Sequence, residues 1–257
     1  MPANVNAFKQ KLLSGQQQFG CWVGMADSYA AEISATAGFD WLLIDGEHAP
    51  NDLRSILRQL QIISASNSHP IVRLPASETY MIKQVLDAGA QTLLIPMVES
   101  AEQATALVEA TRYPPKGVRG VGAALARASS FNAITDYLTT ADEQICLLVQ
   151  IESKAGVDAL DEILAVEGVD GAFIGPADLA ADLGRLGEHD AEDMLENTNT
   201  ILRKICASGK AAGILSMNEN AIAQALEAGA TYIGVGIDVM LFASAMRKLA
   251  SSPTKPD

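Results

Sequence analysis

The sequence predicts a single (β/α)8 TIM barrel, and three observations carry that prediction. About eight short apolar runs alternate with about eight stretches of helical periodicity, one unit per roughly 30 residues, the rhythm of a parallel sheet closed by crossover helices. The runs, Trp41-Leu-Leu-Ile44 among them, are apolar throughout, as strands covered on both faces must be. No Gly-rich phosphate fingerprint follows the first run, which counts against the rival fold, an open doubly wound sheet.

In chain order, Gly20 to Gly24 reads as the first strand. Ser28 to Ala37 is helical, with Ser28 at the N-cap position and Gly38 as terminator. Trp41 to Asp45 is the second strand, and Asn51 to Ser64 a helix with Leu53, Ile56, Leu57 and Leu60 on one side. Pro70 to Pro75 is the third strand, followed by a helix from Glu78 to Ala88 that Gly89 closes. Thr92 to Pro96 is the fourth, followed by a helix from Ser100 to Arg112. Pro114-Pro115 then opens a longer connection through Gly117, Gly120 and Gly122 to about Asp142; connections of this length without a strand are uncommon and often functional. Ile145 to Ile151 is the fifth strand, with a helix to Val166. Gly171 to Ile174 is the sixth, halted by Gly175-Pro176, with helices expected near Ala177 to Gly184 and Ala191 to Ser208. Ala211 to Leu215 is the seventh strand, Asn218 to Ala228 a helix ended by Gly229, and Thr231 to Val235 the eighth. A last helix to about Ala250 completes one barrel domain, 1–250, leaving 251–257 as an expected disordered tail.

A chain of 257 residues, 49% hydrophobic, suits one large domain that holds its core without disulfides or structural metal. Its net charge of −13 argues against nucleic acid and anionic membranes as partners. Cys21, Cys146 and Cys206 are scattered and form no C-x-x-C, as expected of reduced thiols in a cytoplasm. No apolar run reaches the roughly 18 residues of a membrane span, and Met1 to Gly15 does not read as a signal peptide.

In a barrel, polar residues at the carboxyl ends of strands share one mouth, where the chemistry lies. The sequence places Asp45, Glu47 and His48 there after the second strand, Arg73 on the third, Gln150 and Glu152 on the fifth, and Asp178 after the sixth. Glu152 and Asp178 come from consecutive strands, about 4.8 Å apart. Two acids so close repel unless one is protonated or both bind a cation, and oxygen ligands with room for water suit Mg2+ or Mn2+. Each acid alone also reads as a helix first-turn residue. Arg73, inside Ile71-Val-Arg-Leu74, needs anionic partners: a buried pair with Asp45 or Glu47, a clamp on a developing oxyanion, or both. Among three histidines only His48 falls at a strand mouth, beside acids that could orient it, which suits a general base. No lysine is placed for an imine: Lys83 lies on a helix, Lys154 begins one, and Lys210 precedes the seventh strand at the closed end.

Trp41-Leu-Leu-Ile-Asp-Gly-Glu-His-Ala-Pro-Asn51, Leu94-Ile-Pro-Met-Val98, Gly117-Val-Arg-Gly-Val-Gly122, Val149-Gln-Ile-Glu152 and Gly168 to Leu179 together resemble the HpcH/HpaI aldolase family, from about Phe8 to Ala250. The resemblance implies a barrel of the phosphoenolpyruvate/pyruvate-binding type and a class II aldolase. The dication implied is Mg2+, Mn2+ or Co2+, with no organic cofactor. It assigns Glu152 and Asp178 as metal ligands, Gln150 and the backbone around Ala177, with Asp178 and Arg73, to pyruvate, His48 as base, Arg73 as the residue that stabilises the enolate, and Asp87 as the acid paired with the histidine. Asp87 falls at the closed end of its own barrel, so the expected pairing is with a neighbouring subunit, in a homohexamer built as a trimer of dimers with sites at subunit interfaces. The implied reaction is retro-aldol cleavage of 4-hydroxy-2-oxoheptane-1,7-dioate to pyruvate and succinic semialdehyde, in aromatic catabolism. Arg119 and Arg127 are then candidates for the distal carboxylate, with Asp45 and Glu47 in support. The alternatives are a sugar-acid aldolase, acting for example on 2-dehydro-3-deoxyglucarate, a lyase of the citrate lyase β-subunit kind, and a non-catalytic barrel that binds keto acids.

Overall fold

The computed structural model describes residues 1–251. Eight parallel strands close in sequence order: β1 (Gln18–Val23), β2 (Trp41–Asp45), β3 (His69–Arg73), β4 (Thr92–Ile95), β5 (Cys146–Ile151), β6 (Gly171–Ile174), β7 (Ala211–Leu215) and β8 (Tyr232–Ile237), with β8 pairing back onto β1. The barrel that the apolar runs predict is therefore the fold observed.

Side chains alternate across a strand, so each run feeds two cores. One phase, including Leu42, Ile44, Val72, Leu93, Ile95, Leu147 and Val149, packs outward against the helices. The other phase fills the lumen: Trp22, Trp41, Leu43, Ile71, Leu94, Leu148, Phe173 and Tyr232. The large rings fit because glycine faces them. A Cβ on Gly20 or Gly213 would overlap the Trp41 indole or the Tyr232 ring.

Helix α1 (Ala7–Leu13), which no sequence pattern announced, plugs the amino-terminal end of the barrel. Phe8 and Leu12 join the lumen cluster, and Phe8 stacks on His69 with ring centroids 5.3 Å apart. Buried Asn6 caps this helix and ties it down: its Oδ1 accepts from the Lys9 N–H at 2.9 Å, and its amide donates to Thr92 Oγ1 at 3.0 Å.

The outer layer comprises α2 (Ser28–Ala35), α3 (Leu53–Ile63), α4 (Thr79–Asp87), α5 (Ala101–Thr111), α6 (Tyr137–Gln144), α7 (Lys154–Asp158), α8 (Leu160–Ala165), α9 (Pro176–Asp182), α10 (Glu192–Ala207), α11 (Glu219–Glu227) and α12 (Asp238–Ala250). Asp27, not Ser28, is the cap of α2, its Oδ1 accepting from the N–H of Tyr29 and Ala30. The long connection after α5 holds two 3-10 turns, at Ala123–Leu125 and Arg127–Ser129, before α6. The helix expected up to Val166 is split into α7 and α8 at Ala159. Helix α12 buries only Asp238 and exposes Val239, Met240, Leu241, Phe242, Met246 and Leu249. Ser251 caps it, and the expected tail from 252 onward lies outside the described residues. Among the described residues no helix is long and apolar enough to cross a membrane.

Candidate active site at the carboxyl end of the barrel

At the carboxyl ends of the strands the inward phase turns from apolar to polar. Asp45 and Arg73 are register partners on β2 and β3, one step beyond Leu43 and Ile71. Both are buried, and they form a two-pronged pair: Arg73 Nε donates to Asp45 Oδ1 at 2.9 Å and Nη2 to Oδ2 at 2.6 Å. Arg73 Nη1 lies 2.9 Å from Glu47 Oε2, and the guanidinium sits 5.7 Å from the Trp22 ring centroid. Burial opposes ionisation of Asp45, yet the hydrogen bonds and charge of Arg73 hold its carboxyl below the usual range. Asp45 Oδ1 also accepts from the Glu47 N–H at 2.9 Å, and the Gly46 N–H donates to Arg73 O at 2.8 Å. These bonds turn the chain after β2 over the mouth. They leave His48 exposed there, its Nε2 3.8 Å from Glu47 Oε2.

Opposite stands the end of β5. Glu152 is 3% exposed, and its Oε1 accepts from the Met97 N–H at 2.8 Å. Met97 holds a left-handed backbone (φ 52°), uncommon for a long side chain, and that turn presents this N–H. Glu152 Oε2 accepts from the Gln150 side-chain amide. Gly175 makes room for both side chains: a Cβ there would overlap Glu152 Oε2 and stand 2.9 Å from Gln150 Nε2. Burial pushes the Glu152 carboxyl up to about 7, and the charges of Glu47 and Asp178 add to that shift. Burial likewise raises Glu47 above the usual range. Asp178, in the first turn of α9, is exposed at the mouth.

A cavity of about 890 Å³ joins the two sides, lined by the polar side chains of Asp45, His48, Arg73, Gln150 and Asp178 and by Ala177. Trp22, Ile214, Leu215 and Met240 supply the apolar wall. His189 also lines it, a residue the strand-end rule could not find because it sits on the loop between α9 and α10. Among the described residues no lysine contributes to the lining. Lys154 pairs with Asp158, and Lys210 Nζ donates to Val169 O at 2.7 Å.

The donor set fits a hard dication. Glu47, Glu152 and Asp178 repel one another, and buried Gln150 Oε1 receives no hydrogen bond. Among the described residues no three His, Cys, Asp or Glu side chains are grouped closely enough to enclose a metal. A hard dication can be held by one or two carboxylates, with water and substrate oxygens in the remaining positions.

Three sequence candidates lie elsewhere. Asp87 ends α4 at the amino-terminal side of the barrel. Arg119, on the long connection, is fully buried and bonded to Asp87 Oδ1 at 2.8 Å. Arg127 donates to Ala88 O at 3.1 Å and lines a second cavity with His69 and Gln91. Arg119 and Arg127 thus lie at the closed end of their own barrel. The reason is topological: the connection after α5 leads from the bottom of one helix to the bottom of β5.

The family profile described as HpcH/HpaI aldolase/citrate lyase matches residues 18–245. A hydroxypyruvate/pyruvate aldolase of Roseovarius nubinhibens is 59% identical over 248 residues, covering 96% of each chain. A 4-hydroxy-2-oxo-heptane-1,7-dioate aldolase of Escherichia coli is 51% identical over 246 residues, covering 96% of this chain and 94% of that one. The crystal structure of an HpcH/HpaI aldolase/citrate lyase family protein from Burkholderia cenocepacia superposes with a TM-score of 0.91 at 42% identity, covering 96% and 98% of the two chains.

Proposed function

The chain belongs to the HpcH/HpaI aldolase/citrate lyase family, and from that premise we propose that it is a dication-dependent aldolase that releases or joins pyruvate or hydroxypyruvate and a small aldehyde. The observation that carries this reading is the facing of two built devices across one mouth. One is the two-pronged Asp45–Arg73 pair, and the other is the buried Glu152–Gln150 junction seated on Gly175.

Glu152 and Asp178 would hold the metal, which when bound acts as a Lewis acid toward the 2-keto acid. Gln150 and the backbone near Ala177 orient the keto acid's carboxylate. In the cleavage direction the C3–C4 bond breaks, and its electron pair passes through C3 onto the 2-keto oxygen. Arg73, locked by Asp45 and Glu47, stabilises that developing charge without having to reorganise. His48 takes the C4 hydroxyl proton, so that the aldehyde leaves neutral. Proton return to C3 completes the keto acid. In the joining direction each transfer is reversed.

Two readings of the aldehyde compete. The relative at 59% identity is named for hydroxypyruvate and pyruvate. The relative at 51% is named for the seven-carbon diacid, which yields succinic semialdehyde. A distal carboxylate needs a free cation. Among the described residues the mouth of this chain offers only Arg73, already paired with two acids, and the histidines His48 and His189. Arg119 and Arg127 are at the other end. The higher identity to the hydroxypyruvate/pyruvate aldolase puts an uncharged aldehyde first, with the diacid as the second reading and a sugar acid as the third.

We also propose that the active unit is an oligomer, a homohexamer as the family resemblance implies, in which Asp87 of one subunit pairs with His48 of a neighbour. The uncovered apolar face of α12 and exposed Val118, Val121, Leu125 and Phe131 support association. The test is pyruvate or hydroxypyruvate release from a panel of 4-hydroxy-2-keto acids, with Mg2+, Mn2+ or Co2+ and with chelator. Metal-dependent cleavage is expected, fastest on substrates with an uncharged aldehyde half. Undiminished turnover after metal removal, or a borohydride-trapped lysine adduct, would overturn the mechanism.

A further inference from the structure

Arg119 is the largest charged side chain fully shut away from solvent, and the mechanism above makes no use of it. Its Nη2 donates to Asp87 Oδ1 at 2.8 Å and reaches the Tyr137 hydroxyl at 3.4 Å. Its Nε and Nη1 have no hydrogen-bond partner among the described residues. The guanidinium lies instead 4.5 Å from the Tyr113 ring centroid and 5.9 Å from that of Tyr137. Burial pushes the Tyr113 hydroxyl up to about 12, so Tyr113 is neutral at working pH. Asp87 is the one anion paired with this cation among the described residues.

A guanidinium never sheds its charge in a protein, and a buried charge without a counter-ion is strongly unfavourable. Asp87 is therefore held in one place through its Oδ1. Its side chain remains 28% exposed, and Oδ2 is left beside Gly122, 3.7 Å from where a side chain there would begin. The same connection exposes Val121 and Leu125, apolar side chains suited to a second protein surface.

We propose that Arg119 is the positioning residue of Asp87: caged by two tyrosine rings, it fixes one carboxylate oxygen and turns the other outward from the closed end of the barrel. This inference rests on the reading that Asp87 serves the His48 of a neighbouring subunit. Arg119 does not touch substrate. It sets the aim of the group that orients the base.

A double-mutant cycle tests it on the metal-loaded full chain, with Asp87→Asn, Arg119→Met and the double variant. Aldol turnover and oxaloacetate decarboxylation are assayed side by side. Decarboxylation breaks C3–C4 with loss of CO2 and needs no hydroxyl proton removed, so it reports the rest of the site. Arg119→Met is expected to lower aldol kcat by roughly tenfold to a hundredfold, with KM for the keto acid within about twofold. The ratio of aldol to decarboxylase turnover should fall by a similar factor, and the double variant should be no slower than Asp87→Asn alone. Should Arg119→Met fail to fold, Arg119→Gln, which keeps a polar group between the tyrosines, is read in the same cycle. Multiplicative losses in the double variant, an equal loss of both activities, or full aldol kcat in the variant lacking the guanidinium would overturn the positioning role and leave the Asp87 reading standing. Wild-type turnover by Asp87→Asn would overturn the Asp87 reading itself, and this inference with it.

Discussion

A methyl group on Gly175 would overlap Glu152 Oε2 and stand 2.9 Å from both Gln150 Nε2 and Glu152 Cβ. Gly175→Ala is thus expected to fold while displacing the carboxylate that the metal needs. Steady-state kinetics across a Mn2+ titration should show weaker metal dependence and a roughly hundredfold lower kcat/KM, the scale of loss from a misplacement near 1 Å. Arg73→Lys keeps the charge but not the fork that grips Asp45 through Nε and Nη2. A kcat loss of roughly a hundredfold is expected, with the keto-acid KM much less affected; a variant within threefold of wild type would refute the oxyanion role. At this scale the sequence was readable where a charged residue interrupts an apolar run, as Arg73 and Asp45 do. It was silent about Met97, whose left-handed turn aims an N–H at Glu152, because nothing in Pro96-Met97-Val98 marks a positive φ.

At the scale of elements, β3 carries a pH signature at its closed end. Burial, aided by the charge of Lys11, lowers His69 from 6.5 to about 4. A base whose pKa is depressed by folding binds fewer protons folded than unfolded. Its stabilising contribution is therefore complete above about 6.5 and is lost as pH falls toward 4. Denaturant midpoints measured from pH 7 to 4 should fall more steeply for wild type than for His69→Gln, and parallel profiles would refute the assignment. Helix α12 makes the second element-scale case. Its apolar face, with Phe242 and Met246 exposed, is expected to be a subunit contact. Sedimentation should therefore show that Phe242→Asp shifts the protein toward smaller species with its secondary structure intact. Elements with long periodic patterns, such as α3 with Ile56, Leu60 and Ile63 buried, could be read from sequence. Helices α1 and α6 could not. Each spans about two turns, and what fixes α1 is Phe8 entering the lumen and Asn6 reaching Thr92, contacts made over long sequence separations.

For the molecule as a whole, the carboxylates at one end and the Asp87–Arg119 pair at the other divide the expected behaviour. Glu152 is buried with its carboxyl at about 7, so the metal-free protein carries a repulsive cluster that a dication should relieve. Mn2+ at about a hundred times its Kd is expected to stabilise the fold by about 2.7 kcal/mol, seen as a rise in Tm. Glu152→Gln should abolish most of that rise while itself raising the Tm of the metal-free protein. A Tm indifferent to dications would remove the basis for the site. The sequence by itself determined the barrel, its strand order and the polar residues at the strand ends. Unbroken apolar runs alternating with helical periodicity, and the punctuation of glycine and proline, are local properties, and closure in sequence order follows from them. Only the tertiary structure decided which of those polar residues meet: that Arg73 is claimed by Asp45 and Glu47, that Glu152 sits behind Gln150, and that Arg119 is sealed at the far end beside Asp87. Pairings of this kind depend on the register between strands and on where a long connection is laid down, and no residue's immediate neighbours in the chain encode either.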